Sequence, residues 1–231
     1  MRAAVIAVFL GLVPFAGAFA GTTEQPVVVE LYTSQGCSAC PEADAMIADL
    51  ADHEGVLPLA LHIDYWDYIG WVDIFADPDF TKRQKAYARV AGSRTIFTPQ
   101  MIVSGTDHVV GAKPVQLMDL IQKHAERPDP VSIDLARKGG SLVIDAVATD
   151  PLEKETVVQL VRYSPAERVE ITRGENAGLT IDYANVVREW RTLGAWDGQA
   201  PLHLEVAAEG PVAVIVQYEG FGQIVAAASL E

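Results

Sequence analysis

The apolar positions change period several times along the chain, and each change marks an element. Val27 to Tyr32 is apolar apart from Glu30, a run that predicts a strand covered on both faces. The loop Thr33-Ser34-Gln35-Gly36 follows. From Cys37 onward the apolar residues fall at Cys40, Ala43, Met46, Ile47, Leu50 and Ala51, which is helical spacing, and Gly55 ends the segment. Leu57 to Ile63 predicts a second buried strand. Beyond it, Tyr65, Trp66, Tyr68, Trp71 and Phe75 form an aromatic stretch interrupted by Gly70. It reads either as the packing of an inserted helical cap or as the lining of a groove. Asp77-Pro78 starts a helix, with Asp as N-cap and Pro at the first helical position, running through Phe80, Tyr87 and Val90 to Gly92. Gln100–Ser104 and His108–Val110 predict a hairpin around Gly105-Thr106-Asp107. Lys113-Pro114 opens a last helix with Leu117, Met118, Ile121 and Ala125 on one face.

Arg127-Pro128-Asp129-Pro130 reads as a linker, and the pattern changes across it. Short strands are expected at Val131–Ala136, Ser141–Ala148, Thr156–Tyr163, Arg168–Thr172, Leu202–Val206, Val212–Tyr218 and Gln223–Ala228. Gly, Pro, Asn or Asp separate most of them. Strands at that spacing without long helices predict a β-sandwich.

The first residues carry a different signal. Arg2 is the only charge before Glu24, Ala3 to Val13 is an apolar or glycine run, and Pro14 and Ala18-Phe19-Ala20 follow. That order is a secretory signal peptide over residues 1–20. An uncleaved anchor helix is the competing reading, and both export the remainder. The expected location is therefore periplasmic or secreted, without stable membrane insertion after cleavage. Seventeen Lys and Arg against thirty-one Asp and Glu give a net charge of −14. It is spread along the chain with no basic patch, which disfavours nucleic-acid binding. The Ser, His and acidic residues show no nucleophile-elbow pattern, so serine hydrolysis is disfavoured as well.

The chain has two cysteines, Cys37 and Cys40, spaced C-x-x-C. A loop this short would gain roughly 2 kcal/mol from cross-linking, against about 4–5 kcal/mol for a long one. Stability is thus a poor reason for the pair. Chemistry is a better one. At the start of a helix, free N–H groups and the positive end of the dipole stabilise a thiolate, which marks Cys37 as the more exposed, attacking thiol with a lowered pKa. Cys40, one turn on and facing the buried stripe, is expected to be the shielded, resolving thiol. Pro41 falls in the first turn, where a missing N–H costs little.

Two βα units with C-x-x-C at the first helix, then Thr98-Pro99 leading into a hairpin and a last helix, resemble the thioredoxin fold. A closer resemblance is to a family of secreted bacterial thioredoxin-like proteins of unknown function. It is carried by Glu30-Leu31-Tyr32-Thr33-Ser34-Gln35-Gly36-Cys37-Ser38-Ala39-Cys40-Pro41, by His62-Ile63-Asp64-Tyr65-Trp66-Asp67-Tyr68, by Tyr87-Ala88-Arg89 and by Thr98-Pro99-Gln100-Met101. It extends through Arg173-Gly174-Glu175-Asn176-Ala177-Gly178 and Tyr183-Ala184-Asn185-Val186-Val187-Arg188. The resemblance implies a cis Thr98–Pro99 bond beside the dithiol, a buried acid at Glu30 that shuttles protons to Cys40, and backbone at Thr98 and Pro99 presented to a substrate. The expected architecture is an α/β thioredoxin-like N-terminal domain over 21–127, followed by an all-β sandwich-like C-terminal domain over 128–231.

Three functions stay open at this level. The first is an exported thiol–disulfide oxidoreductase, its partners protein thiols and disulfides of the cell envelope, with Cys37, Cys40, Glu30, Thr98 and Pro99 as site residues. It implies no cofactor. The second is a soft-metal protein binding or delivering Cu(I) through Cys37 and Cys40, with His62 as a candidate third ligand. The third is a non-catalytic binding module in which the β-sandwich does the work. Arg173–Gly178 reads equally as a surface turn and as part of a binding site.

Overall fold

The apolar run at Val27–Thr33 (β1) is buried at every position, as its near-continuous pattern predicts. A computed structural model describes residues 25–231, and the signal-peptide expectation over 1–20 lies outside them. After β1 come helix α1 (Pro41–Ala51), β2 (Val56–His62), a single 3-10 turn at Asp67–Ile69, α2 (Pro78–Val90), the hairpin β3 (Gln100–Val103) and β4 (Asp107–Val110), and α3 (Pro114–Ala125). Asp77 caps α2 by accepting from Asp79 N at 2.8 Å, and Pro78 stands at its first turn, as the sequence requires. The second half is strand only: β5 (Val131–Lys138), β6 (Ser141–Ala148), β7 (Thr156–Glu170), β8 (Thr180–Trp196), β9 (Leu202–Ala207), β10 (Val212–Tyr218) and β11 (Ile224–Leu230).

These strands overturn the expected fold class. The described residues are 43% strand and 19% helix. They form a mixed eight-stranded sheet, ordered β11-β10-β7-β8-β2-β1-β3-β4, and a three-stranded sheet, β5-β6-β9. There is no α/β thioredoxin-like domain standing before a separate sandwich, because the late strands extend the early sheet. The join is β8, which runs parallel to β2 with Ala60 opposite Val186. Its physical cause lies next door. Asn185 has a φ of +47°, a left-handed conformation that Asn tolerates better than most residues, and its Nδ2 donates to Pro58 O at 2.9 Å. That kink sits opposite Pro165, between the β7–β8 pairs Ser164–Val186 and Ala166–Ala184, and turns the long ribbon onto β2.

Alternation along β1 divides the core. Val27, Val29 and Leu31 pack with Ala43, Ile47 and Leu50 of α1 and with Leu117 and Ile121 of α3. Val28 and Tyr32 face the other way, joining Phe80 and Tyr87 of α2. This second cluster also takes Val161, Ile215, Ile224 and Ala227 from the far strands, so the sheet curls around α2. The curl brings Ile224 N to Ser104 O at 2.9 Å. At the β3–β4 turn Gly105 has a φ of +74°, and a Cβ there would stand 2.6 Å from Gly222 O, so only glycine fits. The smaller sheet covers the remaining face of β7 and β10 through Leu142, Ile144, Leu160, Val214 and Val216.

Candidate functional site

Where β1 ends, the chain makes a tight loop that carries both cysteines. Cys37 N donates to Ser34 O and Cys40 N to Cys37 O, each at 3.1 Å. Cys40 is the N-cap of α1 and Pro41 its first residue, so the helix begins later than the apolar spacing suggests. Cys37 and Cys40 form a disulfide with Cα atoms 5.4 Å apart. Cys37 keeps only 3% exposure and Cys40 none, while Ser38 and Ala39 between them are exposed. Cys37 is thus only slightly the more exposed of the two, and it precedes the helix start, which Cys40 occupies as N-cap. The bulge of Ser38 and Ala39 reaches solvent instead.

Three distant segments hold this loop. Gln35 N donates to Asp73 Oδ2 at 2.8 Å, and Gln35 Oε1 accepts from Trp71 Nε1 at 2.8 Å. Asn176 Nδ2 donates to Gln35 O at 2.9 Å and to Cys37 O at 3.0 Å. The segment 173–178 is therefore a clasp on the cysteine loop, with Gly174 packed against Trp71. Trp66 completes the surround. Its Cβ lies close to Gly36, next to Cys37, and its Nε1 donates to Thr98 Oγ1 at 2.6 Å. The Thr98–Pro99 bond is cis, as expected, and the indoles of Trp66 and Trp71 tie the loops together, whereas Tyr68 is exposed.

Beneath the loop lies a buried polar group that sequence reasoning missed. Thr33 Oγ1 donates to Asp44 Oδ1 at 2.8 Å. His62, opposite Thr33 in the β1–β2 register, pairs through Nδ1 with Asp73 Oδ2 at 2.7 Å. The rings of Phe75 and Tyr183 meet His62 edge-on, with centroids 5.2 and 5.0 Å away. Burial pushes Asp44 up from 3.8 to about 7, against the opposing pull of His62 and the Thr33 hydrogen bond, with Asp73 adding to the rise. Burial raises the Tyr183 phenol too, helped by the charges of Asp44 and Asp73. Three polar atoms here have no hydrogen-bond partner: Asp44 Oδ2, His62 Nε2 and Tyr183 Oη. One signal could have flagged Asp44 in the sequence. It falls four residues after Cys40, on the same helix face, where a carboxylate interrupts an apolar stripe.

Glu30 is elsewhere. It projects to the α2 face of the sheet, away from α1, where Arg83 Nε donates to its Oε2 at 2.7 Å and Arg83 Nη2 to its Oε1 at 3.0 Å. Tyr32 Oη and Tyr87 Oη donate to it as well, at 2.9 and 2.6 Å. With both oxygens engaged on the wrong side of β1, it has no route to Cys40. A cleft of about 600 Å³ opens beside this pair, lined by Arg83, Trp190, Gln159, Gln217 and Phe221. The Arg83 guanidinium stacks on the Trp190 ring at 3.8 Å, and Gln159, Gln217 and Trp190 bond to one another or to Arg83. These polar groups satisfy each other and offer little to a ligand. As for the Cu(I) alternative, His62 spends Nδ1 on Asp73. Among the described residues no group of three or more His, Cys, Asp or Glu side chains is placed to hold a metal ion. No helix among them is long and apolar enough to cross a membrane.

The model of a family described as a protein of unknown function, DUF1223, matches residues 28–217. The X-ray crystal structure of protein AGR_C_4864 from Agrobacterium tumefaciens is similar, with a TM-score of 0.77 at 30% identity over 88% of this chain and 93% of that one. HBP35 of Porphyromonas gingivalis shares the fold at 18% identity, with a TM-score of 0.64 over 91% of this chain and 76% of that one. None of the curated proteins matches the chain.

Proposed function

We propose that this chain, which belongs to the DUF1223 family, is an exported thiol–disulfide oxidoreductase working through Cys37 and Cys40. The observation that carries the reading is the Cys37–Cys40 disulfide at the N-cap of α1, in a loop clasped by Asn176 and set above Asp44. A bridge closing so short a loop contributes little to stability, yet three remote segments are spent on positioning it. Export rests on the N-terminal sequence, and the natural partners are protein thiols and disulfides of the cell envelope.

The exchange runs in two steps. A substrate thiolate attacks Cys37 Sγ, the S–S bond breaks, and Cys40 leaves as a thiolate that takes up a proton. A second substrate thiolate then attacks the substrate sulfur of the mixed disulfide and releases Cys37. Two electrons pass from substrate to the pair, and the substrate gains a disulfide. In the opposite direction Cys37 attacks a substrate disulfide and Cys40 resolves it. Thr98 and Pro99, tied to the loop through Trp66, offer backbone to an extended substrate segment. Glu30 holds Arg83 and takes no part.

The test is equilibration of the mature protein with glutathione or dithiothreitol buffers, reading the Cys37–Cys40 redox state by alkylation and mass spectrometry, together with exchange toward a peptide disulfide. The reading expects reversible opening of the pair and transfer to the peptide, abolished in Cys37→Ser. A pair that opens only on unfolding would make it a structural bridge.

A further inference from the structure

Resting on that reading, we infer that Asp44 is the proton-transfer group for Cys40, acting through a water bonded to Asp44 Oδ2, His62 Nε2 and Tyr183 Oη. Each of these atoms is buried and unpartnered, although buried polar groups are almost always satisfied. The three belong together. Thr33, which fixes the other Asp44 oxygen, lies directly opposite His62 across β1 and β2. The His62 and Tyr183 rings are in contact, and the Asp44 carboxyl acts electrostatically on both. Three unpartnered buried polar atoms on neighbouring groups are the setting in which a buried water is held.

The connection to sulfur comes from the helix. Cys40, the N-cap of α1 with helical backbone angles, and Asp44 are one turn apart, where i and i+4 side chains share a face, and Asp44 N donates to Cys40 O at 3.0 Å. Thr33 occupies Oδ1 as a donor, which leaves Oδ2 to carry the proton. When the disulfide opens, the Cys40 thiolate takes this proton and Asp44 becomes a carboxylate, then regains a proton from solvent. When the disulfide forms, Cys40 gives its proton to ionised Asp44 as its sulfur attacks. The groups facing Asp44 set its poise: Thr33 from β1, the His62–Asp73 pair from β2 and the following loop, and Tyr183 from β8. Arg188 lies outside them, 4.2 Å over the Phe75 ring. Burial holds Asp44 near neutrality, where a proton donor and acceptor works best.

The experiment is the pH–rate profile of dithiothreitol reduction and of ring closure from a Cys37 mixed disulfide, measured on the mature protein. Wild type, Asp44→Asn and Tyr183→Phe are compared. Asp44→Asn is expected to slow ring closure by about a hundredfold near pH 7, the lower end of what a positioned proton-transfer group contributes, and to remove the inflection near pH 7. Tyr183→Phe should keep the inflection but displace it. An Asp44→Asn protein that retains wild-type rates and inflection overturns the inference. Should that variant fail to fold, the carboxyl stretching band of oxidised wild type decides, with Tyr183→Phe to assign it. A buried carboxylic acid band lost near pH 7 and displaced in Tyr183→Phe supports the role, and no such band overturns it. Wild type that does not exchange at all overturns the oxidoreductase reading instead, a result separate from either of these.

Discussion

Asn176 donates through one amide to two carbonyls of the cysteine loop, Gln35 O at 2.9 Å and Cys37 O at 3.0 Å, across 139 residues of sequence from the latter. The disulfide is thus positioned by the second half of the chain as much as by the first. Those contacts depend on the sheet being continuous, because β7 and β8 bring the segment between them back over α1 and the loop.

Asn176→Ala takes the side-chain donor from both carbonyls in a buried setting, leaving Cys37 O with Cys40 N alone. The expected loss is about 1–3 kcal/mol, measured as a lowered urea midpoint with unchanged m-value. The same variant should also open the Cys37–Cys40 bridge faster with dithiothreitol, because the clasp that covers it is released. Asn176→Asp should be worse than Ala, since it adds an unpaired buried charge beside carbonyl oxygens.

The contribution of Asp44 to stability should fall as pH rises between about 4 and 7, against the opposite trend from His108 and His124, whose values burial lowers. Asp44 is raised from 3.8 to about 7 on folding, so the native state holds a proton in that window that the unfolded chain has released. With more protons bound in the native state, the slope of unfolding free energy against pH is negative there. The contribution is complete below the unfolded value and gone above the folded one. Its full size is on the order of 4 kcal/mol. Thermal melts at pH 5 and 8, with Asp44→Asn as the control that lacks the titrating carboxyl, provide the measurement. A variant with the same pH dependence as wild type would remove Asp44 as its source.

Glu30→Gln should destabilise without touching exchange chemistry. The substitution keeps the shape but strips the charge from a carboxylate that is 2.7 Å from Arg83 Nε, leaving a buried guanidinium uncompensated. Breaking such a pair costs about 3–5 kcal/mol. The pH–rate profile of the dithiol should keep its form, because Glu30 lies on the opposite face of β1 from α1. Pairing Glu30→Leu with Arg83→Met should recover part of the loss, the remainder being the phenols of Tyr32 and Tyr87 left without their acceptor.

The first half of the chain was legible because its signals are local. The buried strand at Val27–Thr33, the Asp77-Pro78 helix start and the Gly105 hairpin each follow from a few neighbouring residues. β8 was not legible. Thr180–Trp196 mixes Arg188, Glu189 and Arg191 with apolar residues, and those charges pair with one another, with Arg162 or with Glu167. β7 reads as two strands because Ser164-Pro165 interrupts it, yet the ribbon runs on through a register shift at Arg162 and Tyr163. Without β8 the link to β2 vanishes and the late strands resemble a domain of their own. The site divides in the same way. The cysteine pair is local and was found, whereas assigning the acid needed the face of β1, which alternation alone put against α2 for Glu30. Asp44 was hidden in plain helical spacing.

The two cysteines should differ sharply when each is left alone. Both are buried in the disulfide form, but Cys37 adjoins the exposed Ser38-Ala39 bulge, and its carbonyl is held only by the Asn176 clasp and the turn to Cys40. Cys40 is fully buried at the N-cap of α1, with Asp44 one turn further on. A substrate sulfur must approach along the S–S axis, and Cys37 is the expected target because it keeps a trace of exposure where Cys40 has none. Cys40→Ala should therefore accumulate mixed disulfides through Cys37 when it meets thiol partners in the cell envelope, because nothing resolves them. Cys37→Ala should trap at least about tenfold less, a difference of about 1.4 kcal/mol or more in access. The measurement is non-reducing electrophoresis of affinity-tagged variants after acid quenching and alkylation. The clasp adds a further discriminating step, since Asn176→Ala in the Cys40→Ala background should raise trapping by Cys37, whereas the same change beside Cys37→Ala should leave Cys40 silent. Equal trapping by the two single variants would place the open side of the disulfide at Cys40 and reverse their roles.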